Sequence, residues 1–320
     1  MMNDLFLEER PVLVTVQGKT HRGMRRAENQ DHFLVADLRA DEEGGGTLLN
    51  PSDTSTGEPG SNTRDNPPQL LLGLKGALIL VADGMGGGPA GSVASRMAAG
   101  WVHEQLMALW SAGHDNSPAR FASCLRSAIE ATNAMVHQQS ERYPQYRGMG
   151  TTVTAAGILG DCLYLAQVGD SRAYLVRDGV ATQLTRDQSL VQELIDSGAI
   201  TEADAESNEH RNVILQALGA LPGVQVDLTW QQLRQGDTIV LCSDGLFRTV
   251  HREEIALAAD DVHRGITPLM DSCERLVTLA NERGGPDNVT VVIAHIEGPG
   301  LKAPQPGDRV ERRIYEGQTW

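Results

Sequence analysis

The sequence predicts an α+β domain built on antiparallel sheets, not a doubly wound parallel sheet, and three features carry that reading. Strand-like runs follow one another without intervening helices in "TTVTAAGILGDCLYLAQVGDSRAYLVRDG", residues 151 to 179. Gly-Asp turns break those runs at the short spacing of a meander. Helical periodicity comes in blocks, at 90 to 111 with 118 to 142 and again near 251 to 259 with 268 to 283, so the order is mixed and lacks the regular βαβ alternation.

Taken in order, residues 12 to 19 (VLVTVQGK) and 32 to 37 (HFLVAD) read as strands joined by a charged turn. Residues 39 to 69 then mix Gly, Ser, Thr, Pro, Asn and Asp with few apolar side chains, too few to offset the entropy of ordering. A disordered surface insertion is expected there, and its removal is expected to leave stability nearly unchanged. Strand pattern resumes in "LKGALILVAD" and the first helical block follows. After the meander come a short helix over 187 to 198 and a polar stretch to 212. Strands at 224 to 229, 238 to 242 and 289 to 296 enclose the second helical block.

Composition limits the partners. The chain has 320 residues, with 42 acidic against 27 basic, and a formal net charge of -15. Such a surface repels nucleic acid and anionic membranes and suits a cationic ligand. The four cysteines form no C-x-x-C pair and lie mostly in apolar runs, as reduced core cysteines do. With no cationic, apolar leader at the N-terminus and no membrane-length apolar run, a cytoplasmic location is expected.

The stretch "LILVADGMGGGPAG" admits two chemistries. Gly86, Gly88 and Gly91 satisfy G-x-G-x-x-G, the spelling of a phosphate cradle. However, Asp83, Gly84 and Met85 separate the strand from the first glycine, and the acid at the right distance, Glu104, falls inside a helix. The alternative is a metal held by Asp83, with Gly84 letting backbone approach closely. The same grammar of an aspartate at a strand end recurs at Asp170, Asp244 and Asp287. Each could be a turn-forming Asp, since Asp-Gly and Asp-Asn favour turns unaided. Together they offer the hard oxygen donors that Mg²⁺ or Mn²⁺ prefers, while zinc-type histidine and thiolate clusters are missing from the sequence. "GMRRAENQD" adds Arg26, whose fork suits an oxyanion, and Asp31 at the start of the second strand.

At this point a resemblance becomes specific. G-x-x-R-x-x-N-x-D (Gly23, Arg26, Asn29, Asp31), "VADGMGG", "GMGTTVTAA", "VGDSRAYL", "LTRDQSLV", "SDGL" and "PDNVTVVI" occur in an order that resembles the metal-dependent Ser/Thr protein phosphatases, also called type 2C, in their bacterial branch. The resemblance implies a four-layer αββα sandwich over residues 12 to 297, preceded by an extension of residues 1 to 11 and followed by a tail over 298 to 320. It implies that Asp83 bridges two Mn²⁺ or Mg²⁺ ions and that the Gly84 carbonyl binds one. Asp244 and Asp287 complete the other's shell, and Asp31 holds a coordinated water. Asp170 with Asp244 resembles a third, weaker metal position. Hydrolysis by a bridging water without a phosphoenzyme is the implied reaction, with Arg26 clamping the phosphate. Phosphorylated proteins, a Ser/Thr kinase and its substrates among them, are the implied partners of a signalling enzyme that acts as a monomer. The opposing reading is a pseudophosphatase that binds phosphoproteins without hydrolysis.

Three departures stand out from the family's usual spelling. Gln30 takes the place of a common Glu, His21 that of a common Asp, and Gln188 that of a common His. Met85 occupies a position where eukaryotic relatives often carry a candidate general-acid histidine. Residues 189 to 212 map onto the family's variable flap.

Overall fold

The computed structural model describes residues 11–39, 46–50, 67–87, 89–113 and 115–316. Two antiparallel sheets form its middle. One runs β10 (Val180–Gln183), β9 (Arg172–Arg177), β12 (Thr238–Cys242), β13 (Val289–Glu297), β1 (Val12–His21) and β4 (Gln69–Leu72). The other runs β14 (Arg313–Ile314), β11 (Asp227–Gln232), β8 (Cys162–Val168), β7 (Val153–Leu159), β5 (Ala77–Met85), β2 (Asp31–Asp37) and β3 (Gly46–Leu49), with β6 (Gly150–Thr151) paired to the end of β5. Helices α1 (Ala90–Ser111) and α2 (Pro118–Arg142) cover the β5 sheet. α6 (Arg252–His263) and α7 (Leu269–Glu282) cover the β13 sheet. The four-layer αββα order is the one expected.

Strand periodicity explains the layering. In β5, Ala77, Ile79 and Val81 face the core between the sheets, while Leu78, Leu80 and Ala82 face α1 and α2. In β13, Val292, Ala294 and Ile296 face the inter-sheet core, and Val289, Val291 and Ile293 face α6 and α7. A strand covered on both faces must be apolar at every position, which is why "ALILVA" reads as a continuous run rather than an alternation. The predicted strands and long helices recur with small shifts in their bounds. α3 (Leu190–Asp196) falls inside its predicted span, and α4 (Glu202–Ser207), within the predicted polar stretch, is started by a Thr201/Asp204 capping box.

Two segments differ from expectation. Within the insertion expected to be disordered over 39 to 69, residues Gly46–Leu49 form β3 on the open edge of β2, and Leu49 is buried in the inter-sheet core. A backbone edge recruits a strand by hydrogen bonding, a signal that an apolar count misses. Residues 40–45 and 51–66 of that insertion lie outside the described residues. The expected tail is also part of the packing: Leu301 enters the inter-sheet core, β14 pairs with β11, and Tyr315 packs edge-on to Tyr164 at 5.9 Å. Among the described residues, no helix is long and apolar enough to cross a membrane.

Candidate metal centre

All the predicted acids lie at one end of the sandwich. Asp31 opens β2 and stands directly across from Asp83 near the end of β5. On the opposite sheet Cys242, the last residue of β12, pairs with Val291 near the start of β13, which brings Asp244 and Asp287 to the same edge. Asp170 follows β8, whose last residue, Val168, pairs with Val153 at the head of β7. The antiparallel registers therefore collect acids from distant parts of the sequence.

Hydroxyls and backbone hold these acids in place. Asp31 Oδ2 accepts from Ser243 Oγ at 2.6 Å and Thr290 Oγ1 at 2.7 Å. The Asp83 amide donates to Thr152 Oγ1 at 2.9 Å, and its carbonyl accepts from the Thr152 amide and from Thr151 Oγ1. Gly84 leaves no room for a side chain, since a Cβ there would lie 2.1 Å from the Gly91 carbonyl oxygen and 2.6 Å from that of Gln30. Asn288 fastens the loop that carries Arg26: its Oδ1 accepts from the Gln30 amide, and its Nδ2 donates to the Arg22 and Glu28 carbonyls. Gly23, at φ +76°, passes so close to the Asp287 carbonyl that only glycine fits.

The assembled acids resist ionisation. Burial first, and then the charges of Asp244 and Asp287, push Asp31 up to about 7 despite its two hydroxyl donors. Asp83 is raised well above the carboxylate range by burial and by the charges of Asp31, Asp244, Asp170 and Asp287. Asp170 is pushed up to about 7 by burial, Asp244 and Asp187, against the opposing charges of Arg248 and Arg172. Burial also raises Asp244, with Arg248 opposing. These are acids in need of positive charge.

Two arginines supply part of it. Arg26 Nη2 meets Asp287 Oδ2 at 2.6 Å, with the guanidinium more than half exposed, so the expected phosphate clamp rests on an expected metal ligand. Arg248, which sequence reasoning missed, reaches Asp244 Oδ2 at 3.0 Å and Asp170 Oδ2 at 3.5 Å. Its only sequence signal is its place one turn beyond Asp244. Ser243, Thr290 and Asn288 were missed as well, although each adjoins or lies near an aspartate of a quoted motif.

Among the described residues no group of three or more His, Cys, Asp or Glu side chains stands close enough together to hold a metal ion as it is. The donor set nonetheless fits a hard divalent cation. Asp31 Oδ1, Asp170 Oδ1 and Asp244 Oδ1 are buried without a hydrogen-bond partner, a costly condition that a cation relieves.

The departures from the family spelling are built into this frame. Gln188 closes the turn after β8, its amide donating to the Gly169 carbonyl and its Oε1 accepting from the Gly169 amide at 2.7 Å. His21 Nδ1 accepts from the Gly23 amide at 3.0 Å. The Gln30 carbonyl accepts from Gly84 and from Ser95 Oγ.

Comparison with known proteins agrees with this arrangement. A family model described as protein phosphatase 2C matches residues 71–284. The Ser/Thr protein phosphatase PstP of Mycobacterium tuberculosis is 41% identical over 219 residues, which are 68% of this chain and 40% of that protein. The Ser/Thr phosphatase Stp of Listeria monocytogenes is 36% identical over 219 residues, covering 68% of this chain and 83% of its own. Among solved structures, the S. agalactiae Ser/Thr phosphatase superposes with a TM-score of 0.69 at 32% identity, over 88% of this chain and 98% of that one. The catalytic domain of PstP in complex with two manganese ions superposes at 0.65 and 34% identity, over 89% and 99%. The chain belongs to the protein phosphatase 2C family.

Proposed function

We propose that this chain is a protein Ser/Thr phosphatase that hydrolyses phosphoserine and phosphothreonine with two divalent ions, Mn²⁺ or Mg²⁺. Asp83 and the Gly84 carbonyl, with Asp244, Asp287 and Asp31, would hold them. Bound there, the ions supply a water of lowered pKa as nucleophile and neutralise the phosphate, so that no phosphoenzyme is required. The observation that carries this reading is the set of buried, unpartnered carboxylate oxygens at one end of the sandwich.

The chain's own residues set the rest. Ser243 and Thr290 fix the Asp31 carboxylate by one oxygen and leave the other without a hydrogen-bond partner. Arg26 is exposed enough to exchange Asp287 for a phosphate oxyanion, and its fork matches that geometry. Met85 sits at the end of β5 opposite Gly150 and has no acidic proton to donate, so solvent protonates the leaving alkoxide. Phosphorylated proteins are the substrates, those of a Ser/Thr kinase among them, and the enzyme works as a cytoplasmic monomer.

The pseudophosphatase reading lacks support: Asp83, Asp244, Asp287 and Arg26 are all retained and brought to one rim. The deciding experiment is release of phosphate from a phosphothreonine peptide with Mn²⁺ and with EDTA, in wild type and Asp83→Asn. Wild type is expected to turn over only with metal, and the variant to fold and show no turnover. Wild-type activity in Asp83→Asn at saturating Mn²⁺ would refute the assignment.

A further inference from the structure

The resemblance implies a third ion between Asp170 and Asp244, yet that position holds an arginine. Arg248 Nη2 donates to Asp244 Oδ2 at 3.0 Å and lies 3.5 Å from Asp170 Oδ2. Its placement is fixed from below: Arg248 caps the short helix α5 (Asp244–Phe247), and its own amide donates to the Asp244 carbonyl at 3.0 Å. The same guanidinium then reaches across to the segment that follows α4. Nη2 donates to the Arg211 carbonyl at 3.1 Å, and Nη1 donates to Asn212 Oδ1. One cation thus bridges both acids and ties them to the end of the 189 to 212 segment.

We propose that Arg248 is a positioning residue that replaces the third divalent ion, so that this chain takes up two ions and docks its flap segment without metal. The charges favour this. Asp170 and Asp244 are only partly neutralised by one guanidinium, but that charge is permanent, and a dication added at the same place would face it at close range in a buried setting. Asp170 Oδ1 and Asp244 Oδ1 both stay without a hydrogen-bond partner, and that of Asp244 is left to the two-ion centre. A metal in this position would have to release the flap in order to enter, whereas the arginine fork serves both tasks at once. The stoichiometric part of the proposal rests on the two-ion reading above; the docking part does not.

The test uses the full chain, with Mn²⁺ as the probe. Equilibrium dialysis at millimolar Mn²⁺ followed by elemental analysis should give two ions for wild type and a third for Arg248→Ala. In parallel, mass spectrometry follows trypsin cleavage of the exposed Arg211–Asn212 bond in EDTA. Cleavage should be slow in wild type and at least about tenfold faster in Arg248→Ala, where the tether is gone. Arg248→Lys keeps the charge without the fork, so it should hold two ions while cleavage still rises. Circular dichroism melts check that each variant is folded. Three ions in wild type, or two in both wild type and Arg248→Ala, would overturn the substitution for metal. Equal cleavage rates in wild type and Arg248→Ala would overturn the tether. Uptake of no Mn²⁺ by wild type would instead overturn the two-ion reading itself, and the stoichiometric claim with it.

Discussion

Asp31→Asn should make the metal-free protein more stable and the metal-bound protein less so. In wild type the carboxyl is buried, and burial with the neighbouring charges of Asp244 and Asp287 lifts it from the ordinary 3.8 to about 7. The native state therefore keeps a proton that the unfolded chain has lost. The stability linked to this group is fully present below about 4 and is lost as pH rises toward 7. At about 1.4 kcal/mol per pH unit, the cost at pH 8 is on the order of 4 kcal/mol, an upper bound because Asp83 shares the same field. The asparagine amide keeps an oxygen for the Ser243 and Thr290 hydroxyls and carries no charge. A gain of about 2 kcal/mol is a cautious expectation, which for a domain of this size raises Tm by roughly 3 °C. Thermal melts in EDTA at pH 5, 6, 7 and 8 measure it: wild type should lose stability with rising pH, and the variant should lose less. Added Mn²⁺ should raise Tm more in wild type, where the ions' charge answers the Asp31 carboxylate. A variant that melts at or below wild type at pH 8 in EDTA, with an unchanged pH slope, would show that Asp31 carries no uncompensated charge.

Other outcomes follow from the same structure. Leu49→Ala should cost about 2–4 kcal/mol in urea unfolding, because β3 delivers that side chain to the inter-sheet core; a change below about 0.5 kcal/mol would restore the reading of the whole insertion as inert surface. Arg26→Ala should lower kcat/KM by about ten- to a hundredfold while calorimetry still registers Mn²⁺ binding, and loss of binding would give Arg26 a structural role instead. Met85→His should flatten the dependence of rate on leaving-group pKa across a series of aryl and alkyl phosphates, and equal slopes would mean that residue 85 does not face the leaving oxygen.

Much of this was legible in the sequence because the layers depend on periodicity. β5 and β13 are apolar at nearly every position since both faces are covered, and each is announced by an aspartate at the site end. Asp31, Asp83, Asp244 and Asp287 were therefore readable one by one, while their meeting required the antiparallel registers. β3, β4 and β14 escaped because short edge strands draw their stability from a neighbour's backbone and carry little pattern of their own. Tyr315 escaped because a single buried aromatic after a polar run has no periodicity. Arg248 escaped for a different reason: a charged residue one turn after an aspartate usually forms an ordinary surface pair, and only the folded chain brings Asp170 and Asn212 within its reach.

The acids sit at the ends of interior strands, and this ties the chemistry to the slowest motions of the molecule. β5 lies between β7 and β2, and β13 between β12 and β1, so neither strand can fray without breaking two ladders and opening two cores. Amides near Asp83 and Thr290 should consequently exchange with solvent only through global unfolding, whereas those of the short helices α3 and α4 should exchange through small local openings. Ion removal would then loosen the whole domain before it disorders the rim. The segment around α3 and α4 is the part of the site's surroundings whose rearrangement does not put the fold at risk.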